Sequence, residues 1–269
     1  MRSSFVALVP FALSLFAEVS AQSAAAAAYA PTFGACPSGT QLVRQVGHNA
    51  RTQSISSAES AYVSARRNNV LVETWFDYLT NLNNLPSLTL PVYVDAILRS
   101  THGVDYLPKL GIATSGGGHR AAIFGAGVLN ALDSRNGTSV AAGTGGLLQA
   151  ATYLAGLSGG SWLVGSLAQN NFPTIHNLIF GSNDGAQTGW NTQLDLLAPS
   201  SDSSVVQEYL ETLFAELAVK YVEGFPVTVA DVWARALSRH FVDGTTADNL
   251  LDASLTHGAG VTLSSVAQL

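Results

Sequence analysis

The chain has 269 residues, of which 47% are hydrophobic and 11% charged, with 12 Lys and Arg against 18 Asp and Glu. Intrinsic disorder needs low hydrophobicity and high charge, so this composition excludes a disordered chain. A formal net charge of −6, with Lys109 and Lys220 as the two lysines, leaves no basic footprint for nucleic acid, and no nucleic-acid partner is expected.

Arg2 precedes an apolar run from Phe5 to Phe16, and Val19-Ser20-Ala21 places small residues where a signal peptidase cuts. Residues 1–21 are therefore read as a cleaved secretory signal and the protein as secreted. The run is shorter than the roughly 20 residues of a spanning helix, so no transmembrane segment is expected in the mature chain. Residues 22–34, rich in Ala and Ser, read as a flexible leader, and residues 35–269 as continuous fold. In an oxidising compartment the sole cysteine, Cys36, is either a buried free thiol or half of a disulfide whose partner lies outside this sequence. A helix is expected from Ser56, capped with Glu59 three residues on, and Pro91 suits the first turn of a short helix through Arg99.

Two strand-turn-helix units follow. In the first, a short apolar strand, Leu110 to Thr114, meets Ser115-Gly116-Gly117-Gly118-His119-Arg120 and then an apolar helix through about Ala131. Three glycines at a helix start expose backbone N–H groups that favour an anion, either a bound phosphate or a transient oxyanion. The spacing is neither a dinucleotide fingerprint nor a P-loop. Arg120 could add bidentate phosphate recognition or be a solvated or structurally paired arginine. Asn136-Gly137-Thr138 is a glycosylation sequon in a small-residue stretch that reads as a surface turn. From Asn136 to Asn183 there is no Asp, Glu, Lys or Arg, and such a stretch is expected to be mostly interior.

In the second unit a buried strand from Ala150 to Ala155 is followed by Gly156-Leu157-Ser158-Gly159-Gly160-Ser161-Trp162 and an apolar helix through about Gln169. Gly156, Ser158 and Gly160 satisfy G-x-S-x-G in its required context, a strand before and a helix after. A sharp turn of this kind holds the serine in a strained conformation, with small neighbours that admit substrate. Further on, Leu210, Leu213, Phe214, Leu217 and Tyr221 recur at helical spacing between Ser204 and Glu223. Glu208, Glu211, Glu216 and Lys220 are placed on the surface of that helix, Ser204 with Gln207 forms its capping box, and Gly224 and Pro226 stop it.

Ser-Gly-Gly-Gly-His-Arg-Ala-Ala at 115–122 and Gly-Leu-Ser-Gly-Gly-Ser-Trp at 156–162 resemble the fungal phospholipase B (lysophospholipase) family. That family is similar in its catalytic domain to cytosolic phospholipase A enzymes and, more distantly, to patatins. The likeness runs from Tyr29-Ala30-Pro31 and Cys36-Pro37 through Gly224-Phe225-Pro226 and Asp231-Val-Trp-Ala-Arg-Ala-Leu-Ser238 to near the end. It implies an α/β fold, a central β-sheet flanked by helices, of the Ser/Asp hydrolase type, with residues 35–269 forming its N-terminal part and the domain incomplete at the C-terminus. It also implies Ser158 as nucleophile, the N–H groups of Gly117 and Gly118 as oxyanion hole, Arg120 as the holder of the substrate phosphate, and a phospholipid or lysophospholipid substrate at a lipid interface. The family base is an aspartate in an Asp-Gly-Gly setting. This chain has Asp184-Gly185 and Asp243-Gly244 but no Asp-Gly-Gly, so the resemblance implies that the catalytic aspartate is absent from it. His119 stands where the family commonly has an aromatic residue.

Two rival readings accompany this one. Ser158 could work with Asp243 and His257 in the order of α/β-hydrolases. The chain could also be a truncated, non-catalytic secreted homologue that binds lipid without turnover. His48, His102, His176 and His240 are scattered, with no cluster at ligand spacing, so neither a metal nor another cofactor is expected.

Overall fold

Residues 31–39, 43–86, 88–98, 103–185 and 187–242 are described by the computed structural model. The expected signal sequence, most of the expected leader, Asp243 and His257 lie outside the described residues. The described chain divides into two compact units, one formed by Pro37–Gly181 and the other by residues 31–36 with 182–242.

In the first unit the expected cap is in place: Ser56 Oγ accepts from the Glu59 N–H at 3.1 Å and opens α1 (Ser57–Arg66). No proline or glycine follows to stop the helix. A π-helical turn over Arg67–Leu71 carries it into α2 (Val72–Asn83), and α3 (Tyr93–Leu98) comes next. Leu71, Trp75, Leu79 and Val94 from these elements bury themselves with Ala150, and Tyr78, Leu82 and Ile97 pack around them. Each large apolar side chain fully buried in this way contributes about 1.5–3 kcal/mol.

The two glycine-turn units then form β1 (Leu110–Thr114) with α4 (Gly118–Leu132), and β2 (Ala151–Gly156) with α7 (Gly159–Gln169). Between them lie the short helices α5 (Gly137–Ala141) and α6 (Leu147–Ala150), and α8 (Ile175–Phe180) follows. The strands are parallel, with Ala113 opposite Ala155 and Thr114 opposite Gly156, as a crossover through a helix requires. Their C-terminal ends therefore bring the two glycine turns side by side. Ala122, Ala126 and Leu129 of α4 and Leu163 and Leu167 of α7 are fully buried, and the two helices pack on each other.

The expected central sheet is two-stranded among the described residues. Gly111, Ala113, Tyr153 and Ala155 leave one of its faces exposed. At the edge of β2, α1 supplies side chains: Tyr62 Oη donates to the Thr152 carbonyl at 2.6 Å, and the buried Arg66 donates to the carbonyls of Ala151 and Gln149. The charge-free stretch is interior only in part. Leu148, Leu163, Leu167, Ile175 and Leu178 are buried, but Leu157 is 69% and Phe180 72% exposed. An uncharged residue in a turn, such as Leu157, or at a helix end, such as Phe180, is held by the backbone around it and need not be interior.

Asp133, just past α4, is buried and clasped by Arg135, whose guanidinium also donates to the carbonyls of Phe172 and Pro173. It thereby ties the end of α4 to the turn at Asn171 and Phe172, both at positive φ, after α7. Burial pushes the Asp133 carboxyl up, but hydrogen bonds and charge from Arg135 and a hydrogen bond from Gln149 outweigh it and hold the pKa below the ordinary carboxylate value. A depressed carboxylate adds stability above its unfolded value, about 4, and that stability is lost as pH falls through the folded value. Asp133→Asn is therefore expected to lower the stability at pH 7 and to flatten the loss below about pH 4, read from urea midpoints against pH.

The second unit is built on α9 (Ser203–Val222) and α10 (Val229–Phe241). The helix expected from Ser204 is present, but its cap is Asp202, whose side chain accepts from the Ser204 N–H at 2.9 Å. The turn to α10 is closed by a capping box between Thr228 and Asp231, and Lys220 pairs with Asp231 at 2.5 Å. The expected surface position of Glu216 is overturned. Glu216 is buried with Arg239, 2.7 Å away, and Tyr209, Leu213 and Ala236 form the core cluster of this unit. Phe214 and Tyr221, expected on the core stripe, are exposed. Burial pushes the Glu216 carboxyl up against the pull of Arg239 and Arg235, and it pushes the Tyr209 phenol up to about 12. α10 presents Arg239 and His240 inward, while Val229 and Trp233 face outward at 79% and 47% exposure. Cys36 is exposed, which overturns its reading as a buried thiol.

Candidate active site

The apolar strand β2 must turn into α7 within Leu157 and Ser158, and this sets the backbone of the serine. Ser158 has φ 52° and ψ −120°, a conformation in which an L side chain crowds its own backbone at a cost of order 1–3 kcal/mol. Local hydrogen bonds hold it there. Leu157 N–H donates to the Thr114 carbonyl at 3.0 Å, Gly160 N–H to Leu157 at 2.9 Å, and Ser161 N–H to Ser158 at 2.8 Å. Ser158 occupies the N-cap position of α7, yet its side chain makes no capping hydrogen bond. The hydroxyl stays exposed at the end of the strand.

The glycine loop lies directly against it. A Cβ added at Gly116 would sit 2.8 Å from Ser158 Cβ and 3.4 Å from its Oγ. Gly117 at φ 138° and Gly118 at φ 66° adopt backbone that only glycine takes readily, and they turn the chain into α4. The first N–H groups of a helix have no intrahelical acceptor and carry the positive end of its dipole, which suits a developing oxyanion. Gly159 and Gly160 close the seam. A Cβ on Gly159 would lie 2.1 Å from the Gly118 oxygen, and one on Gly160 2.5 Å from the Thr114 oxygen. The two turns interlock through backbone contacts that no side chain larger than hydrogen permits.

The structure thus lays the two turns against each other, Gly116 beside Ser158 and Gly118 beside Gly159. Arg120 stands exposed in the first turn of α4, two residues beyond Gly118. His119 meets Trp162 edge to face, with ring centroids 5.3 Å apart, so the first turns of α4 and α7 are linked by an aromatic contact. Asn136 is half-buried and caps α5: its Oδ1 accepts from Thr138 N–H at 3.1 Å, and its Nδ2 donates to the Asn130 carbonyl at 3.2 Å. No group of three His, Cys, Asp or Glu able to hold a metal occurs among the described residues, and no described helix is long and apolar enough to cross a membrane.

Sequence reasoning missed Thr114, Gly116 and the tight fit of Gly159. Thr114 carries no motif signature, since its part depends on a register that only the paired strands define. The Gly-Gly pair after Ser158 was the signal for a second backbone approach.

The lysophospholipase catalytic domain model matches residues 110–267. Among curated proteins the chain is 38% identical to "Probable lysophospholipase 3" of Schizosaccharomyces pombe, over 81% of this chain and 29% of that protein. It is 36% identical to "Lysophospholipase 2" of Saccharomyces cerevisiae, over 79% of this chain and 29% of that protein. "Lysophospholipase 1" of Aspergillus fumigatus is 35% identical over 81% of this chain and 33% of its own length. The chain spans about a third of the length of the curated relatives it matches. No solved structure matches it. Matches of this extent and identity, running through both glycine turns, mean that the chain belongs to the lysophospholipase catalytic domain family.

Proposed function

We propose that the chain hydrolyses fatty-acyl esters of phospholipids and lysophospholipids through an acyl-enzyme on Ser158, as a secreted enzyme of phospholipid catabolism that works at a lipid interface. The observation that carries this reading is the strained, exposed Ser158 pressed against Gly116 where two parallel strands turn into their helices. In the first step Ser158 Oγ bonds to the acyl carbon as its proton passes to a carboxylate base, and the carbonyl oxygen becomes an oxyanion facing the N–H groups of Gly117 and Gly118. The ester C–O bond then breaks, and the departing glycerol oxygen takes the proton that the base accepted from Ser158. Water repeats the sequence on the acyl-enzyme and frees the fatty acid. Arg120 holds the phosphate of the head group, which its planar fork suits.

The same proposal extends to the fold and the address of the protein. Its sheet is the core of a domain like that of cytosolic phospholipase A and patatins, residues 1–21 are a secretory signal, and Asn136 is a glycosylation acceptor. The likeness of the lysophospholipase relatives supports the substrate class. The test is hydrolysis of a lysophospholipid, with fluorophosphonate labelling, by the wild type and Ser158→Ala. Removing the nucleophile is expected to abolish labelling and to cost about 10⁶-fold in kcat. Undiminished hydrolysis by a folded Ser158→Ala protein would sink the proposal.

A further inference from the structure

We infer that Thr114 is a positioning residue that holds the Ser158 turn in its strained conformation, an inference that rests on the reading of Ser158 as nucleophile. A serine at φ 52° persists only where its surroundings hold both flanks of the turn. Thr114, the last residue of β1, reaches both flanks. Its carbonyl accepts from Leu157 N–H, one residue before Ser158, at 3.0 Å. Its hydroxyl lies between two carbonyls, Gly160 at 3.1 Å and Ala155 at 3.2 Å, and its single proton is shared between the first turn of α7 and the end of β2. Gly160 has to be glycine for this approach, because a Cβ there would lie 2.6 Å from Thr114 Oγ1.

The methyl group has a separate contact. A Cβ placed on Gly125 of α4 would lie 3.8 Å from Thr114 Cγ2, so the methyl faces α4 while the hydroxyl serves α7. Two substitutions can therefore separate the functions of one side chain. Valine keeps the branched shape, the strand preference and the methyl contact but loses the hydroxyl. Serine keeps the hydroxyl and loses the methyl.

The carbonyl bond to Leu157 is backbone and survives both changes, so the comparison isolates the hydroxyl. With it gone, the first-turn carbonyl of Gly160 loses its link to β1, and the turn can relax away from the conformation that aims Ser158 Oγ. A misaimed nucleophile slows the chemical step while leaving the binding of the lipid unchanged.

The experiment compares wild type, Thr114→Val and Thr114→Ser in lysophospholipid hydrolysis, fluorophosphonate labelling rate and amide exchange over residues 155–162. Thr114→Val is expected to lose about tenfold in kcat and in labelling rate at unchanged KM, the effect of one lost hydrogen bond. Thr114→Ser is expected to stay within about twofold of wild type. Equal losses in both variants, or a Thr114→Val protein with wild-type kcat, would overturn the inference.

Absence of turnover and labelling in the wild type would defeat the hydrolase reading instead. Thr114 is then decided by amide exchange: faster exchange of the Leu157 and Ser161 amides in Thr114→Val but not in Thr114→Ser supports it, and unchanged exchange refutes it.

Discussion

Gly159→Ala is expected to lower kcat/KM by about 10²–10³-fold while the chain still folds. The methyl group would enter space already held by Gly118, 2.1 Å from its carbonyl oxygen and 2.8 Å from its nitrogen. Neither neighbour is a flexible side chain that could swing aside. The glycine loop and the serine turn must therefore separate, which in the proposed mechanism moves the Gly118 N–H away from the oxyanion. Loss of a single oxyanion donor costs 10²–10³ in rate in comparable sites. Gly127→Ala is the control, since its added Cβ meets nothing within 4 Å and it lies on α4 away from the turn. Circular dichroism and steady-state kinetics on both variants check the expectation, and a Gly159→Ala enzyme of wild-type activity would show that the two turns need not touch.

The largest expected effect on stability comes from the other unit. Glu216→Ala is expected to cost about 3–5 kcal/mol, because it leaves the Arg239 guanidinium buried without its carboxylate. Arg235, 3.7 Å from Glu216 Oε2 and partly exposed, loses less. Arg239 also lies over the Tyr209 ring, 5.5 Å from the centroid, a contact that cannot replace a carboxylate. The exposed Glu208 on the same helix provides the comparison, and Glu208→Ala should stay within about 0.5 kcal/mol. Denaturant midpoints decide the matter. A Glu216→Ala protein as stable as Glu208→Ala would mean that the buried pair contributes nothing.

The strand-turn-helix units were legible because several local signals coincide there. In the first, an apolar run ends at glycines and a second apolar run begins, and β1 occupies Leu110–Thr114 as the sequence suggests. Ser56 and Glu59 likewise announce the start of α1 through a hydrogen bond that is local in sequence. The start of α9 was harder, since Ser200, Ser201, Asp202, Ser203 and Ser204 all offer capping oxygens and only three-dimensional geometry selects Asp202. Glu216, Arg239 and Arg66 were not legible as interior residues. Charge is a reliable sign of surface only until a partner or a row of carbonyls is supplied from elsewhere in the chain. The seam between Gly118 and Gly159 joins residues about 40 positions apart in the chain, and its tightness follows from parallel register, which no local pattern encodes.

The side chains that α1 lays along β2 set the direction in which this sheet can grow. A strand arriving beside Ala151 and Thr152 would look for free carbonyls and find them already accepting from Arg66 and Tyr62. To pair there it would have to displace a buried guanidinium and leave it without acceptors. Edge-to-edge association of two copies through this end of β2 is thus blocked by chemistry and not by bulk. The same arrangement spares the strand the lysines and prolines that commonly guard an open edge, so β2 can remain apolar and uncharged right up to the turn that carries Ser158.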